Sequence, residues 1–117
     1  MTFTKYDNRK PRTDLLPPLA CLKVSEVLTY GAGKYSPSNW NKCVEPNRYT
    51  GAGLRHEFQD LAAQLYPDLF SRLDDESKIE HLAHAACSLL FELELELVKA
   101  LRKQKQTQGD AIVSDNA

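Results

Sequence analysis

The sequence has few of the features that mark secreted, zinc-ribbon or membrane proteins. Its three cysteines, Cys21, Cys43 and Cys87, form no C-x-x-C pattern, so they match neither a disulfide framework nor a zinc ribbon and predict reduced thiols. No apolar run approaches the roughly 20 residues of a membrane span. The N-terminal residues also lack the apolar stretch of a signal peptide. We therefore expect a cytoplasmic protein with no membrane partner.

Excess charge, glycine-rich loops and internal repeats are also absent. The chain has 15 basic and 16 acidic residues and a net charge of −1, so no overall field attracts it to a nucleic acid polymer. Its five glycines form no Gly-rich phosphate loop. With 117 residues, 42% of them hydrophobic and 26% charged, the sequence predicts one domain around a single core.

The N-terminal half predicts an arm, a helix and a loop. Residues 1–18 contain prolines and charges, and we expect them to be extended. The prolines at 17 and 18 suit the opening of a helix, and Gly31 and Gly33 are expected to end it. Residues 35–49 carry prolines and turn formers, which predict an ordered loop.

The C-terminal half predicts two more helices. The second covers residues 50–65 and is interrupted at Pro67, with an apolar face of Leu54, Phe58, Leu61 and Leu65. The third begins at Asp74, which is a good N-cap followed by acidic residues. We expect residues 1–102 to form a single all-α domain and residues 103–117 to be a disordered tail.

The segment FELELELV, residues 91–98, alternates with the period of a strand. No other segment alternates to pair with it, and its leucines also fit a helical stripe with Leu90 and Leu101, so we interpret it as helix. So short a chain has little core of its own, and this stripe therefore predicts a homodimer or homotetramer that completes a helical bundle. A monomeric bundle is the alternative.

Every histidine of the chain falls in one of two short segments. In DDESKIEHLAHAACSLLF, residues 74–91, helical spacing places Glu80, His81 and His84 together, with Glu76 and Ser77 one turn earlier. In RHEFQD, residues 55–60, His56 lies one turn from Asp60, and Glu57 is three residues from Asp60.

Two antiparallel helices that present carboxylates and imidazoles to each other form a typical divalent-metal site. Carboxylates suit Mg²⁺ or Mn²⁺, and imidazoles shift the preference toward Mn²⁺, Co²⁺ or Zn²⁺. The alternative is a hydrogen-bonded histidine pair surrounded by ordinary surface charges.

Cations and aromatic residues are mixed in the N-terminal half. A purine base stacks on aromatic rings, and phosphates need cations. Tyr30, Trp40 and Tyr49 could equally pack the loop onto the helices. The candidate substrate-binding residues are Lys10, Lys34, Tyr35, Trp40, Arg48 and Arg55.

Five motifs, KYDNRKPRTDLLPP, SEVLTYGAGKYSPSNW, VEPNRY, LRHE and DDESKIEHLAHAACSLLF, occur in this order. Over residues 5–97 the sequence resembles the MazG-like NTP pyrophosphatases, and in particular the phage MazZ-type dATP/dGTP diphosphohydrolases of the cyanophage 2-aminoadenine DNA pathway. The resemblance implies an all-α dimer or tetramer in the host cytoplasm. It also implies that Mg²⁺, Mn²⁺ or Co²⁺ assists the cleavage of dGTP and dATP to the monophosphate and pyrophosphate.

The resemblance also implies roles for residues in these motifs. The candidate metal ligands are Glu26, Asp74, Glu76, His81 and His84, and the candidate catalytic residues are Glu26, His56 and Glu76. Residues 57–73 form a longer connection than in such relatives and lack their Gly-Glu pair, which leaves Glu57, Asp60 and Glu80 as alternative ligands.

In the expected reaction, Glu26 or Glu76 orients or deprotonates the attacking water, while Lys10, Lys34 and Arg55 hold phosphate oxygens. One rival reading is an HD-type triphosphohydrolase, whose His-Asp dipeptide this chain lacks. The other is a non-enzymatic helical interaction module.

Overall fold

The protein is described by a computed structural model that covers residue 4, residues 9–45 and residues 47–116, with side chains through residue 109. Within these residues the chain forms three α-helices: α1 (Pro18–Lys34), α2 (Arg48–Leu65) and α3 (His81–Asn116). Short 3-10 helices cover Thr13–Leu15 and Asn39–Lys42. The described part contains no strand, only one isolated bridge between Leu73 and Glu80. The predicted all-α class is confirmed.

Helix α1 opens as predicted and ends at Lys34, one residue beyond the second of the two glycines that were expected to end it. Pro18 occupies its first turn, where a missing N–H costs nothing. Gly31 and Gly33 do not stop the helix, because both keep a negative φ and continue the helical path. The helix ends at Lys34, where the Tyr35 amide donates to the Gly31 carbonyl at 2.8 Å.

The N-terminal arm is described in part, since residues 1–3 and 5–8 lie outside the described residues. Its described end, before α1, contains the 3-10 turn Thr13–Leu15. The loop predicted for residues 35–49 contains the 3-10 helix Asn39–Lys42 and gives way to α2 at Arg48.

Helix α2 packs on α3 through small residues. Gly53 and Ala63 are buried, and a Cβ added at Gly53 would lie 3.4 Å from the Ser88 Cβ. This close approach sets the buried face of α2. The apolar residues of the helix point elsewhere, because Leu54, Phe58, Leu61 and Leu65 are 47–67% exposed.

The predicted start of α3 is wrong, because the helix begins at His81 and not at Asp74. Residues 74–78 form a tight turn in which the Asp74 carboxylate accepts the Ser77 amide at 2.9 Å. Lys78 then adopts a left-handed φ of 63°, which breaks any helical path out of the turn. Asp74 therefore caps the turn that precedes α3 and does not cap α3 itself.

Helix α3 continues through the segment for which we expected disorder. It runs to Asn116, and residue 117 lies outside the described residues. The segment KQKQTQ contains no proline, and most of its residues are good helix formers. Residues 91–98 are helical, as predicted from the leucine stripe. The limits of the functional domain remain a prediction.

The core is small and lies where α1 meets the beginning of α3. Val27, Ile79, Ala83 and Cys87 are buried there, with Val24, Tyr30 and Phe91 packed against them. The leucines of the stripe on α3 are 51–63% exposed at positions 90, 93, 97 and 101. Self-association through this stripe remains a prediction. No helix in the described ranges combines the length and apolar character needed to cross a bilayer.

Candidate active site

An open cavity of about 700 Å³ lies between α1, the segment after it, α2 and the beginning of α3. Each of these four parts of the chain, and also the turn 74–78 before α3, contributes polar or aromatic side chains to the lining. Eight of the residues singled out in the sequence line this one cavity: Lys34, Tyr35, Trp40, Arg55, His56, Asp74, Glu76 and His84.

The three histidines lie against one another beside this cavity. His56, in the middle of α2, faces the first turn of α3, and its Nδ1 lies 2.9 Å from the Nδ1 of His81. The His56 ring also stacks on the His84 ring, with centroids 4.6 Å apart and planes 14° from parallel. His81 is buried. The helical spacing of His81 and His84 thus places both imidazoles against the same partner on α2.

Asp74 completes a group of potential metal ligands. One ligand atom from each of His56, Asp74 and His81 lies within 4.8 Å of the others. The Asp74 carboxylate is aimed there by the turn 74–78, whose Ser77 donates to it through both its amide and its hydroxyl. Two imidazoles and one carboxylate suit Mn²⁺, Co²⁺ or Zn²⁺.

The ionisation states of these groups favour cation binding. Burial, followed by the neighbouring His84 and His81, lowers the pKa of His56 to about 4, and burial also lowers the pKa of His84. Burial acts to raise the pKa of Asp74, but the hydrogen bonds from Ser77 and the nearby histidines outweigh it, so the pKa is lowered. At neutral pH His56 and His84 are therefore uncharged and Asp74 is ionised, as metal ligation requires.

Lys34 and Glu76 form an ion pair that links the end of α1 to the turn. The Lys34 Nζ lies 2.6 Å from the Glu76 Oε1. Glu76 raises the pKa of Lys34, and Lys34 followed by Tyr30 lowers the pKa of Glu76. Both residues line the cavity, so a cation and a carboxylate face the same space.

An aromatic cluster forms another part of the lining. Trp40 stacks on Phe91 with ring centroids 5.1 Å apart and planes 9° from parallel, and Tyr49 meets Phe91 edge-on at 5.1 Å. The Tyr49 hydroxyl donates to the Trp40 carbonyl at 3.2 Å. The cluster holds the 3-10 helix of the loop against α3. Trp40 therefore packs the loop onto the helices, as the alternative interpretation of this residue expected, and it also lines the cavity.

Four of the candidate site residues do not line the cavity, namely Lys10, Glu26, Arg48 and the buried His81, which lies against His56. Lys10 is exposed, and Arg48 pairs with Glu45 at 3.0 Å. Glu26 faces Lys23, whose ammonium lies 3.3 Å from both the Glu26 and the Glu80 carboxylates.

The three alternative metal ligands, Glu57, Asp60 and Glu80, differ in burial and in hydrogen bonding. Asp60 is buried and accepts hydrogen bonds from Arg72 at 2.8 and 3.0 Å and from Gln64 at 2.6 Å, so its oxygens are already engaged. Glu57 is exposed on α2. In Glu80, Oε2 is buried without a hydrogen-bond partner among the described residues.

Sequence reasoning gave no role to several residues that build the site. Gln59 and Phe91 line the cavity, and Ser77 lies between Asp74 and His84. Helical spacing was a usable signal for two of them, because Gln59 follows His56 by three residues and Phe91 follows His84 by seven. Ser77 depends on a turn that the sequence pattern did not reveal.

Comparisons with known proteins identify the family. The family model described as dATP/dGTP diphosphohydrolase, N-terminal, matches residues 2–106. A dATP/dGTP diphosphohydrolase of Salmonella phage PMBT28 is 32% identical over 91 residues, which cover 78% of this chain and 29% of that relative. The chain thus spans less than a third of the curated relative's length. No solved structure matches it. The chain belongs to the family of the dATP/dGTP diphosphohydrolase N-terminal region.

Proposed function

We propose that this chain is a metal-dependent nucleoside triphosphate diphosphohydrolase that cleaves dGTP and dATP to the monophosphate and pyrophosphate. The observation that carries the proposal is the convergence of His56, Asp74 and His81 within 4.8 Å, beside a cavity lined with cations and aromatic rings. The name of the phage relative supports the substrate and the reaction.

The donor set fits a divalent cation. His56 is uncharged at neutral pH and offers a lone pair, while Asp74 offers a negative charge. Mixed imidazole and carboxylate ligation suits Mn²⁺ or Co²⁺ better than Mg²⁺, which prefers oxygen ligands alone. When bound, such an ion supplies charge neutralisation for the phosphates and lowers the pKa of a coordinated water.

Lys34 and Arg55 are the cations that line the cavity, and we assign them to the phosphate oxygens. Glu76 holds the Lys34 ammonium at 2.6 Å, which limits the positions the long side chain can occupy. A group fixed before the substrate arrives loses less entropy on binding it. Lys10 and Arg48 contact phosphates in this proposal only if they move toward the cavity from their exposed positions.

Glu76 is better suited to orient water than to take its proton. Its pKa is lowered by Lys34 and Tyr30, so the carboxylate stays ionised and accepts hydrogen bonds but is a weak base. For Glu26 the geometry offers less support, because its carboxylate faces Lys23 and the residue does not line the cavity. His84, uncharged and on the cavity lining, is a further group able to accept a proton.

The aromatic residues provide the contact for the base. Tyr35 is 64% exposed and lies on the cavity lining with Trp40, and a purine presents a large flat surface for stacking on such rings. A purine pool enzyme of this kind, acting in the host cytoplasm, would remove dATP and supply dGMP for 2-aminoadenine DNA synthesis.

A non-enzymatic helical module is the second candidate. The exposed leucines of α3 favour it, because a stripe more than half exposed over three turns is typical of a surface that binds another helix. The same stripe is compatible with an enzyme that acts as a homodimer or homotetramer, so only turnover separates the two.

Product analysis tests the proposal. The purified protein is incubated with dGTP, dATP, GTP and dCTP in the presence of Mg²⁺, Mn²⁺ or Co²⁺, and the products are resolved by chromatography. We expect dGMP and dAMP, each with pyrophosphate. Release of nucleoside with triphosphate would assign the chain to the HD-type reaction. No turnover with any metal would favour the helical module.

A further inference from the structure

The Ser77 hydroxyl lies at the centre of a small hydrogen-bond network beside the metal-ligand group. Its Oγ is 3.0 Å from the Asp74 Oδ2 and 2.7 Å from the His84 Nε2. The Ile79 amide donates to the same Oγ at 3.2 Å. A single serine therefore joins the turn 74–78 to an imidazole on α3.

The chemistry of these groups decides where the protons lie. An ionised carboxylate only accepts hydrogen bonds, and a serine hydroxyl has one proton to donate. An aspartate carboxylate is ordinarily ionised at neutral pH, and the same Asp74 Oδ2 already accepts the Ser77 amide at 2.9 Å, so the contact between the Ser77 hydroxyl and Asp74 requires the serine proton. The remaining lone pairs of Oγ then accept from the Ile79 amide and from His84, so the His84 Nε2 must carry a proton.

The opposite arrangement leaves a hydrogen bond unmade. If Ser77 donated to an unprotonated His84 Nε2, its oxygen would face the Asp74 carboxylate at 3.0 Å with no proton between them. Two acceptors held together in a half-buried place repel each other, and the loss of a charge-assisted hydrogen bond is costly.

We infer that Ser77 is a positioning residue that fixes His84 as the tautomer protonated at Nε2, leaving Nδ1 as the acceptor atom of the ring. Nδ1 has no hydrogen-bond partner among the described residues, and His84 lines the cavity. The lone pair of Nδ1 is therefore free to meet a bound ion or the attacking water. That consequence rests on the proposed function, whereas the tautomer itself does not.

Nuclear magnetic resonance of the resting protein tests the tautomer directly. Protein labelled with ¹⁵N at histidine is freed of metal by chelation, and long-range proton–nitrogen correlations are recorded at neutral pH without nucleotide. His84 is identified by the loss of its signals in His84→Gln. We expect a protonated Nε2 and an unprotonated Nδ1. A protonated Nδ1 in the wild-type protein would overturn the inference, whatever the enzyme does with dGTP.

Substitution of Ser77 tests the cause. In Ser77→Ala we expect His84 to populate both tautomers, and Ser77→Thr, which keeps the hydroxyl, to restore the wild-type spectrum. Ser71→Ala is the matched control, because the Ser71 hydroxyl accepts the Leu73 amide at 3.0 Å in the same connection and does not contact His84. An unchanged His84 spectrum in a folded Ser77→Ala protein would refute the role of Ser77.

The kinetic effect is measured separately. Loss of a residue that orients a ligand or catalytic group commonly costs ten- to a hundred-fold, and we expect roughly that decrease in kcat for Ser77→Ala with a much smaller change in KM. Ser77→Thr is expected to recover most of kcat. If the tautomer is as inferred but no variant, nor the wild type, turns over dGTP, the proposed function fails and the tautomer assignment stands.

Discussion

The pair between Asp60 and Arg72 gives the sharpest prediction about stability. The Asp60 carboxylate is 3% exposed and accepts three hydrogen bonds, two of them from the Arg72 guanidinium. Asp60→Asn keeps the shape of the side chain but removes its charge and one of its acceptor oxygens. The substitution therefore weakens the link between α2 and the connection that leads to α3.

The size of the stability loss in Asp60→Asn depends on the hydrogen bonds that are lost and on how well water can solvate the unpaired Arg72. A hydrogen bond to a charged group contributes about 1.5–3 kcal/mol, and removing one partner of a fully buried pair costs about 3–5 kcal/mol. Arg72 is 54% exposed, so its charge can return to water and the upper value is not reached. We expect Asp60→Asn to lower the free energy of unfolding by about 2–3 kcal/mol and the melting midpoint by roughly 10 °C.

Urea and thermal unfolding, followed by circular dichroism, measure this loss. Asp68→Asn, an exposed aspartate after the same helix, is the control and should change the stability by less than about 0.5 kcal/mol. Equal stability of the two variants would refute the assignment of Asp60 to the fold.

The stabilisation contributed by the pair of Asp60 and Arg72 should decrease at low pH. Arg72 lowers the pKa of Asp60 in the folded protein below its unfolded value near 4, which is about the ordinary value for aspartate. The stabilisation is then complete above that value and is lost as the pH falls through the folded pKa. The stability difference between wild type and Asp60→Asn should therefore narrow below about pH 4.

Three further predictions concern the site. In metal-free protein, the free energy of unfolding should fall as the pH drops from about 6.5 to about 4, because His56 is protonated over this range in the unfolded chain but not in the folded protein. Urea titrations should show a smaller fall in His56→Gln. Lys34→Ala should weaken binding of a non-hydrolysable dGTP analogue roughly ten-fold by calorimetry, with the exposed Lys99→Ala unchanged. Phe91→Ala removes the ring stacked on Trp40 and should shift the fluorescence of this single tryptophan to the red.

The helices were predictable from the sequence where local signals agree with packing. Pro18 opens α1, and the leucine stripe correctly identified residues 91–98 as helix despite their alternation. Gly31 and Gly33 gave a misleading stop signal. Glycine permits a helix end but does not impose one, and here the helical hydrogen bonds continue to Lys34.

The beginning of α3 could not be read from the sequence for a physical reason. Asp74 followed by acidic residues has the composition of a helix N-terminus, yet its side chain serves a turn instead. The outcome depends on the left-handed Lys78 and on the bridge between Leu73 and Glu80, and neither is signalled by the residue types in this segment. The pattern therefore predicted that Asp74 caps a helix, whereas in the structure Asp74 caps a turn.

The candidate site was predictable in its members more than in its arrangement. Helical spacing predicted that His81 and His84 share one face of a helix, and in the structure both rings contact the same residue of α2, His56. It could not distinguish Asp74, which joins the ligand group, from Asp60, which binds Arg72. Both are acidic residues near histidines, and only the folded connection between α2 and α3 separates their roles.

The most direct test of the central claim measures metal-dependent turnover in a matched pair of variants. Metal-free wild type, Asp74→Asn and Asp75→Asn are each given dGTP and increasing Mn²⁺, and dGMP and pyrophosphate are quantified together. Asp75 is the exposed neighbour outside the ligand group. We predict equal amounts of both products from wild type and Asp75→Asn, and a decrease of roughly a hundred-fold or more in Asp74→Asn. Mn²⁺-dependent turnover at the wild-type rate in Asp74→Asn would contradict the account.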